Sequence, residues 1–439
     1  MSLKSMTLLG QSLVACIGIA TQFSYAENVS HFESVLAKVE SYQAQNSIWQ
    51  QSQNISDLNI QQSKLWKNPS FNVEQSGFNS NQEQELSIGI SQPLDIFGER
   101  KLNKNIAHTS NQQLQLQQKL WTAQSQLIVK FAWSKFLITE LEQSVYAAQL
   151  STSQANLESA KKRYQAGSIP LVEFERAQIE TIEIQRLLQQ ANLNKQLAQR
   201  QLSNLWGDGS SDIQLNISSI PWPDQTNKTV QQNISEGWLE KLYALNIQQS
   251  NYQIDNLRAK SRPNPTLNVG MTRTKAPNEN NDTTLALGVD IPLNIFNRQQ
   301  YAIPMAQQQQ ILLNQQQQRE LKQQILDITN QIHQLKSLRG QFDATTSQID
   351  LAVNVQRRTL QGFQAGKLSI TDVQQSTSLI QNFRLGQLQI LRQAWETALN
   401  AEALSLGLSF EEISQSDAYI KLSKKTLEAT QSLINEGAR

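Results

Sequence analysis

Four short segments of the chain alternate strictly between apolar and polar side chains, two near residue 70 and two near residue 270. A period of two is typical of β-strands that meet an apolar phase on one face and water on the other. We therefore predict β-hairpins over about residues 69–93 and 265–292. A single such hairpin would fit a half-buried soluble sheet equally well. The apolar positions are Phe71, Val73, Leu86, Ile88 and Ile90 in the first pair, and Leu267, Val269, Met271, Leu285, Leu287, Val289 and Ile291 in the second.

Long helical patterns follow each strand pair. Residues 99–166 contain neither Gly nor Pro, and their apolar side chains recur in steps of three and four, which indicates a coiled-coil seam. Residues 298–361 repeat the pattern, and roughly 65 helical residues would reach about 100 Å. Antiparallel partner helices are predicted over 169–206 and 368–406, with shorter helices over 29–66 and 235–259. The seam residues are Leu127, Phe131, Ser134, Ile138, Leu141, Val145 and Ala148, then Ile328, Ile332, Leu335 and Phe342.

The strands and helices belong to one unit that occurs twice. Asn68 to Val73 returns 196 residues later, whereas Leu86 to Phe97 returns 199 residues later. Three extra residues therefore lie between Val269 and Leu285, where they would fit a hairpin loop. The predicted domains are a first repeat over 27–227, with its helical hairpin at about 98–206, and a second over 228–439. The second has its helical hairpin at about 298–406 and ends in a C-terminal equatorial segment.

The first 26 residues have the features of a secretory signal peptide. Lys4 precedes an apolar run from Met6 to Ala20, and Ser24-Tyr25-Ala26 is a small-x-Ala cleavage site. The single cysteine, Cys16, lies in a sequence that also resembles a lipobox, so lipidation at Cys16 is the alternative to cleavage after Ala26. Beyond the signal, no apolar run of 18 residues or more could form a membrane helix. A membrane role would have to use β-strands.

Composition and charge exclude several classes of function. Only 38% of the residues are hydrophobic. The 38 basic and 37 acidic residues nearly balance, so the chain lacks the excess of positive charge typical of nucleic-acid-binding proteins. Outside the signal, the histidines are His31, His108 and His333, without the paired spacing of a zinc or copper site. No phosphate-binding glycine loop or nucleophile elbow occurs. We expect no enzyme activity, no metal site and no cofactor.

The repeated motifs resemble the TolC-type outer-membrane factors, and within them the CzcC-like branch of heavy-metal efflux systems. The resemblance covers nearly the whole chain after the signal. It depends on the order and common offset of the strand-to-helix junctions and helix turns more than on any one motif. These are Gln92-Pro93-Leu94-Asp95-Ile96-Phe97-Gly98, Ile291-Pro292-Leu293-Asn294-Ile295-Phe296-Asn297-Arg298, Arg163-Tyr164-Gln165-Ala166-Gly167 and Gly362-Phe363-Gln364-Ala365-Gly366.

This resemblance implies a homotrimer in the outer membrane of a Gram-negative bacterium. Four strands per protomer would form a twelve-stranded β-barrel, continued by a long α-helical barrel in the periplasm. The turns at Gly167 and Gly366 would be the periplasmic tips, and with Arg163 and Leu368 they would contact a membrane-fusion adaptor. The adaptor would connect the duct to a resistance-nodulation-division pump in the inner membrane. Family members close the tips with polar contacts, for which the candidates here are Glu173, Glu175 and Asp372; solvated helix surface is the alternative for all three.

The cargo implied by the branch is a divalent heavy-metal cation. Export of drugs or other organic solutes is the rival within the same family. Two interpretations come from other classes: a secreted coiled-coil scaffold, which leaves the repeated strands unexplained, and a periplasmic adaptor, which normally has one helical hairpin where this chain has two.

Overall fold

The computed structural model describes residues 31–45, 47–78, 83–208, 213, 221–275 and 281–437. The predicted signal peptide and Cys16 lie outside the described residues. The strands are β1 (Ser70–Ser76), β2 (Gln84–Pro93), β3 (Thr266–Lys275) and β4 (Asp282–Asp290). The helices are α1 (Phe32–Gln45), α2 (Trp49–Gln62), α3 (Glu99–Gln165), α4 (Leu171–Ser203), α5 (Thr226–Glu236), α6 (Trp238–Lys260), α7 (Ala302–Gln364), α8 (Ile370–Ser405), α9 (Phe410–Ser414) and α10 (Ala418–Gly437).

The four strands form one antiparallel sheet in the order β1-β2-β3-β4. The β2–β3 pairing joins the two repeats, with Ile88 opposite Met271 and Ile90 opposite Val269. Directly opposed residues share a face of the sheet, and residues two apart along a strand do as well. All the apolar strand positions predicted from the sequence between Phe71 and Val289 therefore lie on one face, which confirms the predicted phase.

The three extra residues of the second repeat lengthen a strand and not a loop. Strand β1 has 7 residues, whereas β3 has 10. The added pairs lie at both ends of β3: it pairs with β2 from Pro93 to Gln84, whereas β1 pairs with β2 only from Ser91 to Glu85. The expected loop insertion was therefore wrong, because backbone pairing of β3 with β2 continues beyond both ends of β1. Residues 276–280 of the turn lie outside the described part of the chain.

Two long antiparallel helical hairpins extend from the sheet, α3 with α4 and α7 with α8. Helix α3 has 67 residues and α7 has 63, so each is about 100 Å long. The predicted seam residues Leu127, Ile138, Leu335 and Phe342 are buried. Ala148, predicted on the same seam, is exposed.

The two long helices start differently. The Asp95 carboxylate accepts hydrogen bonds from the backbone amides of Glu99 (2.8 Å) and Arg100 (2.9 Å), which caps α3. In the second repeat the Asn294 amide instead donates to the carbonyl of Ser261 (3.0 Å). Helix α7 begins at Ala302 and not near residue 298, because Gln299 has a left-handed backbone (φ 58°).

Amide side chains hold several of the helix interfaces together. The Gln113 amide donates to Asn246 (2.8 Å), and the Asn256 amide donates to Asn103 (2.7 Å), both between α3 and α6. Gln149 and Gln381 pair between α3 and α8. The abundant Gln and Asn thus replace part of the apolar core that so polar a chain lacks.

The main apolar core lies midway along the helices, where the C-terminal segment packs across α3 and α8. Leu391, Leu399 and Ile413 are fully buried there. An ion pair crosses the same region, from Lys130 to Glu402 at 2.7 Å, and the Glu402 side chain is only 3% exposed. This packing fixes the two helical hairpins relative to each other.

The segments before the strands contain more helices than predicted: the first helix is divided in two, and α5 precedes α6, which corresponds to the helix predicted over 235–259. Residues 29–66 were predicted as one helix, but α1 ends at Gln45 and α2 starts at Trp49. Before the second sheet segment, Gly237 has a left-handed backbone (φ 58°) between α5 and α6. Such a residue ends one helix and lets the chain change direction before the next.

None of the helices in the described residues has the length and apolar character needed to cross a membrane.

Candidate functional site: the two sheet faces and the helical tips

The charged residues of the sheet are sorted by face. The polar face contains the four carboxylates of the strands, Glu74, Glu85, Asp282 and Asp290, and no strand residue with a basic side chain. The apolar face contains the two cations, Arg273 and Lys275, and no strand carboxylate. Within the four strands, the two faces therefore have opposite charge.

Hydrogen bonds between side chains of neighbouring strands connect residues of the polar face. The Asn72 amide donates to Ser91 (2.9 Å), and the Asn268 amide donates to Asp290 (2.6 Å). Ser87 and Thr272 share a hydrogen bond at 2.8 Å. The glycines between these pairs, Gly89 opposite Gly270, keep this face shallow.

The apolar face is uncovered in the protomer. Leu285 is 88% exposed and Leu287 76%. The exposed surface continues past the sheet into the junction before α7, where Phe296 is 91% exposed and Tyr301 is 83% exposed. A soluble monomer rarely leaves so large a contiguous apolar surface in water. This surface therefore requires a lipid or protein partner.

The two helical tips have the same backbone geometry, as the Ala-Gly sequences predict. Gly167 and Gly366 are left-handed, with φ of 69° and 72°. At the first tip the amide of Ser168 donates to the carbonyl of Arg163 (2.8 Å), and at the second the amide of Lys367 donates to the carbonyl of Gly362 (2.9 Å). These are Schellman turns, which satisfy carbonyls left open at a helix end.

Arg163 connects the two tips. Its guanidinium donates to the carbonyl oxygen of Phe363 (2.6 Å) and lies over the Phe363 ring, 3.6 Å from the centroid. It thus places a cation at the C-terminal end of α7, where the helix dipole is negative, and adds a cation–π contact. Neither the hydrogen bond nor the cation–π contact could be predicted from the sequence, because Arg163 and Phe363 lie 200 residues apart.

Leu368 packs across the end of α7 at the second tip. A Cβ atom on Gly362 would lie 2.6 Å from Leu368 Cδ1, so the glycine makes room for this side chain. Behind it, Phe363, Ile370 and Val373 form a small buried cluster. At the first tip Tyr164 stacks on Phe174, with ring centroids 5.7 Å apart. The two tips therefore share a backbone but differ in side-chain packing.

The three predicted gate carboxylates lie at the starts of α4 and α8, as expected, but they do not meet. Asp372 completes the capping box of α8, in which Ser369 is the cap. The Asp372 carboxylate accepts hydrogen bonds from the hydroxyl (2.8 Å) and the backbone amide (2.8 Å) of Ser369, which lower its pKa. Glu173 is half-buried and Glu175 is exposed, and neither forms an ion pair among the described residues. Within one protomer, the contacts of Asp372 are those of a helix cap.

An acidic residue absent from the sequence prediction lies nearby. Glu180 of α4 borders an open groove of about 590 Å³ between α4 and α8. Burial raises the pKa of Glu180, against the opposing effect of a hydrogen bond from Gln374. Its Oε1 has no hydrogen-bond partner in the described part of the chain. The sequence did contain a signal for this burial: Glu180 lies three residues after Ala177 and four residues before Ile184, on the same helix face as these two buried residues.

His31, His108 and His333 are all exposed, and no group of three or more His, Cys, Asp or Glu side chains in the described residues could hold a metal ion.

Similarity to known proteins identifies the architecture. No family model matches the chain. The cobalt-zinc-cadmium resistance protein CzcC of Cupriavidus metallidurans is 23% identical over 323 residues, which cover 71% of this chain and 75% of that protein. The solved structure of CusC has a TM-score of 0.65 at 14% identity and covers 88% of this chain and 96% of its own. The CmeC outer-membrane channel of Campylobacter jejuni has a TM-score of 0.62 at 12% identity, over 97% and 98% of the two chains.

The chain has the outer-membrane channel fold. The resemblance inferred from the duplicated motifs is confirmed by the similarity to CzcC and by the fold of CusC. The predicted fold class is also confirmed, mainly helical with four strands in one sheet.

Proposed function

We propose that three copies of this chain form the outer-membrane exit duct of a tripartite efflux system. The proposal is based on the exposed apolar face of a four-stranded sheet. Its edge strands, β1 and β4, have no further strand partner among the residues that the structure describes. Four strands cannot close a membrane barrel, which needs eight or more. Pairing β4 of one copy with β1 of the next closes a twelve-stranded barrel and removes every edge.

The orientation follows from the arrangement of elements. The strand ends at Ser76, Gln84, Lys275 and Asp282 lie at the end of the sheet opposite the helices. Placing the apolar face in the bilayer puts these strand ends towards the cell exterior and the helical hairpins in the periplasm. Helices of about 100 Å then extend across much of that compartment.

The cargo we propose is a divalent metal cation. In the closed barrel the polar face would line the lumen, and each protomer would contribute four carboxylates and no strand cation. A lumen of one charge sign concentrates ions of the opposite sign. The similarity to a protein named for cobalt, zinc and cadmium resistance supports the same cargo. An exit duct needs no metal-binding cluster, because it must release what it carries.

The partners we propose act at the helical tips. A membrane-fusion adaptor would contact the tip turns through Arg163, Gly167, Gly366 and Leu368, and would connect the duct to a resistance-nodulation-division pump. The partly exposed side chain of Leu368 offers an apolar contact, and Lys161, Lys162 and Arg163 offer positive charge. Closure of the tips would use Glu173, Glu175 and Asp372 of neighbouring protomers.

Cells that lack the protein test the function. We expect them to lose tolerance to zinc, cobalt or cadmium while their tolerance to organic drugs changes little, and expression of the intact gene should restore metal tolerance. Unchanged metal tolerance beside raised drug sensitivity would assign the duct to organic solutes. Unchanged tolerance to both classes would contradict an efflux role.

A further inference from the structure

We propose that Arg273 and Lys275 form a binding site for the phosphorylated headgroup of an outer-leaflet lipid. The inference rests on the proposed function, because it needs the apolar sheet face to lie in the outer membrane with the strand turns outside. It adds a specific ligand chemistry to that placement: each protomer holds an anionic lipid at the outer edge of its apolar face.

The position of the two cations follows from the strand register. Arg273 lies opposite Leu86 and Thr283, and it shares the apolar face with Met271, two residues away. Lys275 lies opposite Gln84, at the end of the same face. Arg273 therefore lies in the last row of the apolar band, level with Leu86, and Lys275 lies about 7 Å further along the strand, beyond the band. That is the level of the lipid headgroups.

The corresponding positions of the first repeat hold no cations. Gln75 of β1 lies opposite Leu86, at the level of Arg273, and β1 ends at Ser76 opposite Glu85, so only Lys275 lies beyond its end. The first repeat therefore has no equivalent pair of cations on its apolar face, which in β1 consists of Phe71, Val73 and Gln75.

The charges around the site leave it open to an anion. Arg273 and Lys275 form no ion pair with any residue that the structure describes, and both are exposed. The nearest strand carboxylates, Glu85 and Asp282, lie on the opposite face of the sheet. The guanidinium of Arg273 can bind phosphate with two parallel hydrogen bonds, while Lys275 adds a mobile positive charge. Both side chains can also extend their heads away from the apolar band.

A neighbouring protomer does not occupy this position in the proposed trimer. Strand β3 is internal, with β2 on one side and β4 on the other. Contacts between copies form at the outer strands β1 and β4, so the middle of each outward face remains in contact with lipid. A lipid headgroup is the anion available at that level, and its acyl chains would cover Met271, Leu285 and Leu287.

Native mass spectrometry of the detergent-solubilised trimer tests the site. The probes are a bis-phosphorylated lipid A and the same lipid after removal of its phosphates. We expect the wild type to bind the phosphorylated form more tightly, and the Arg273→Gln/Lys275→Gln variant to bind it about tenfold more weakly. A control, Lys322→Gln/Lys336→Gln, removes two exposed cations from helix α7 and should bind like the wild type.

Equal binding of both lipids by the wild type, or an equal loss in the control, would overturn the site. The variant's presence in the outer membrane is measured separately. A trimer that reaches the outer membrane without preferring the phosphorylated lipid refutes this inference alone, whereas a wild-type protein that never reaches that membrane refutes the proposed function.

Discussion

Gly366 ends α7 in a left-handed conformation, with φ of 72° and no atom within 4 Å of the position that a Cβ atom would take. The space is free, but a β-branched residue at positive φ is strained by about 1–3 kcal/mol. We expect Gly366→Val to displace the tip and reduce metal tolerance while the trimer and its membrane insertion stay intact. Gly340→Val is the matched control, because Gly340 is also uncrowded but lies within helical backbone. Equal tolerance in the two variants would remove the tip turn from the functional residues.

The burial of Glu180 predicts that the free energy of unfolding depends on pH. Burial raises its pKa above the usual value of 4.5. The charged form is therefore penalised in the folded state, and this penalty is absent below the unfolded pKa and grows as the pH rises through the folded pKa. We expect Glu180→Gln to raise the thermal unfolding midpoint at pH 7 and to have little effect near pH 4. Glu175→Gln, an exposed change on the same helix, should leave the midpoint unchanged at both pH values. A larger gain at pH 4 than at pH 7 would contradict this sign.

At the residue scale, the sequence predicts local geometry better than it predicts contacts. The Ala-Gly pairs predicted both left-handed turns, because a turn of this type depends on adjacent residues. The contact of Arg163 with Phe363 could not be predicted, since it depends on how two helical hairpins are placed relative to each other. Asp372 was predicted as a gate residue from the resemblance, whereas its local contacts within the protomer are those of a helix cap.

At the scale of elements, Arg163 connects the two helical hairpins. Arg163→Ala removes the cation–π contact and the hydrogen bond to the Phe363 carbonyl. We expect spin labels on the two tips to report a longer and broader distance distribution in this variant. Lys162→Ala is the control, because among the described residues Lys162 forms an ion pair only with Glu158 of its own helix, at 3.8 Å, and its side chain is mostly exposed. The same distribution in wild type and Arg163→Ala would show that the tips are held together by other contacts.

The two faces of the sheet lead to a second prediction at this scale. Val289 lies on the apolar face and Ser87 on the polar face. Arginine on a lipid-facing strand costs about 2–4 kcal/mol near the middle of the bilayer, whereas lumen positions tolerate charge. We expect Val289→Arg to reduce the amount of assembled protein in the outer membrane, and Ser87→Arg to have a smaller effect, both measured by membrane fractionation. Equal losses would show that the faces are assigned wrongly.

Most elements could be predicted because their periods are long and the unit occurs twice. The strand phase and the two helical hairpins follow from that repetition. The break after Gln45 was missed, since it interrupts a segment that remains polar and helical in composition, and α5 was not predicted because most of its residues are polar. The strand extension was missed because an insertion near a turn has the same sequence signature whether it lengthens a loop or a strand.

For the whole molecule, the central claim is that three chains close one barrel in the outer membrane. The sheet has two free edges and an exposed apolar face, so a lone protomer would leave both in water. The direct measurement is the mass of the protein extracted from purified outer membranes by mild detergent and analysed without heating. We predict a single species of three chains. A monodisperse monomer recovered from the soluble periplasm would contradict the account.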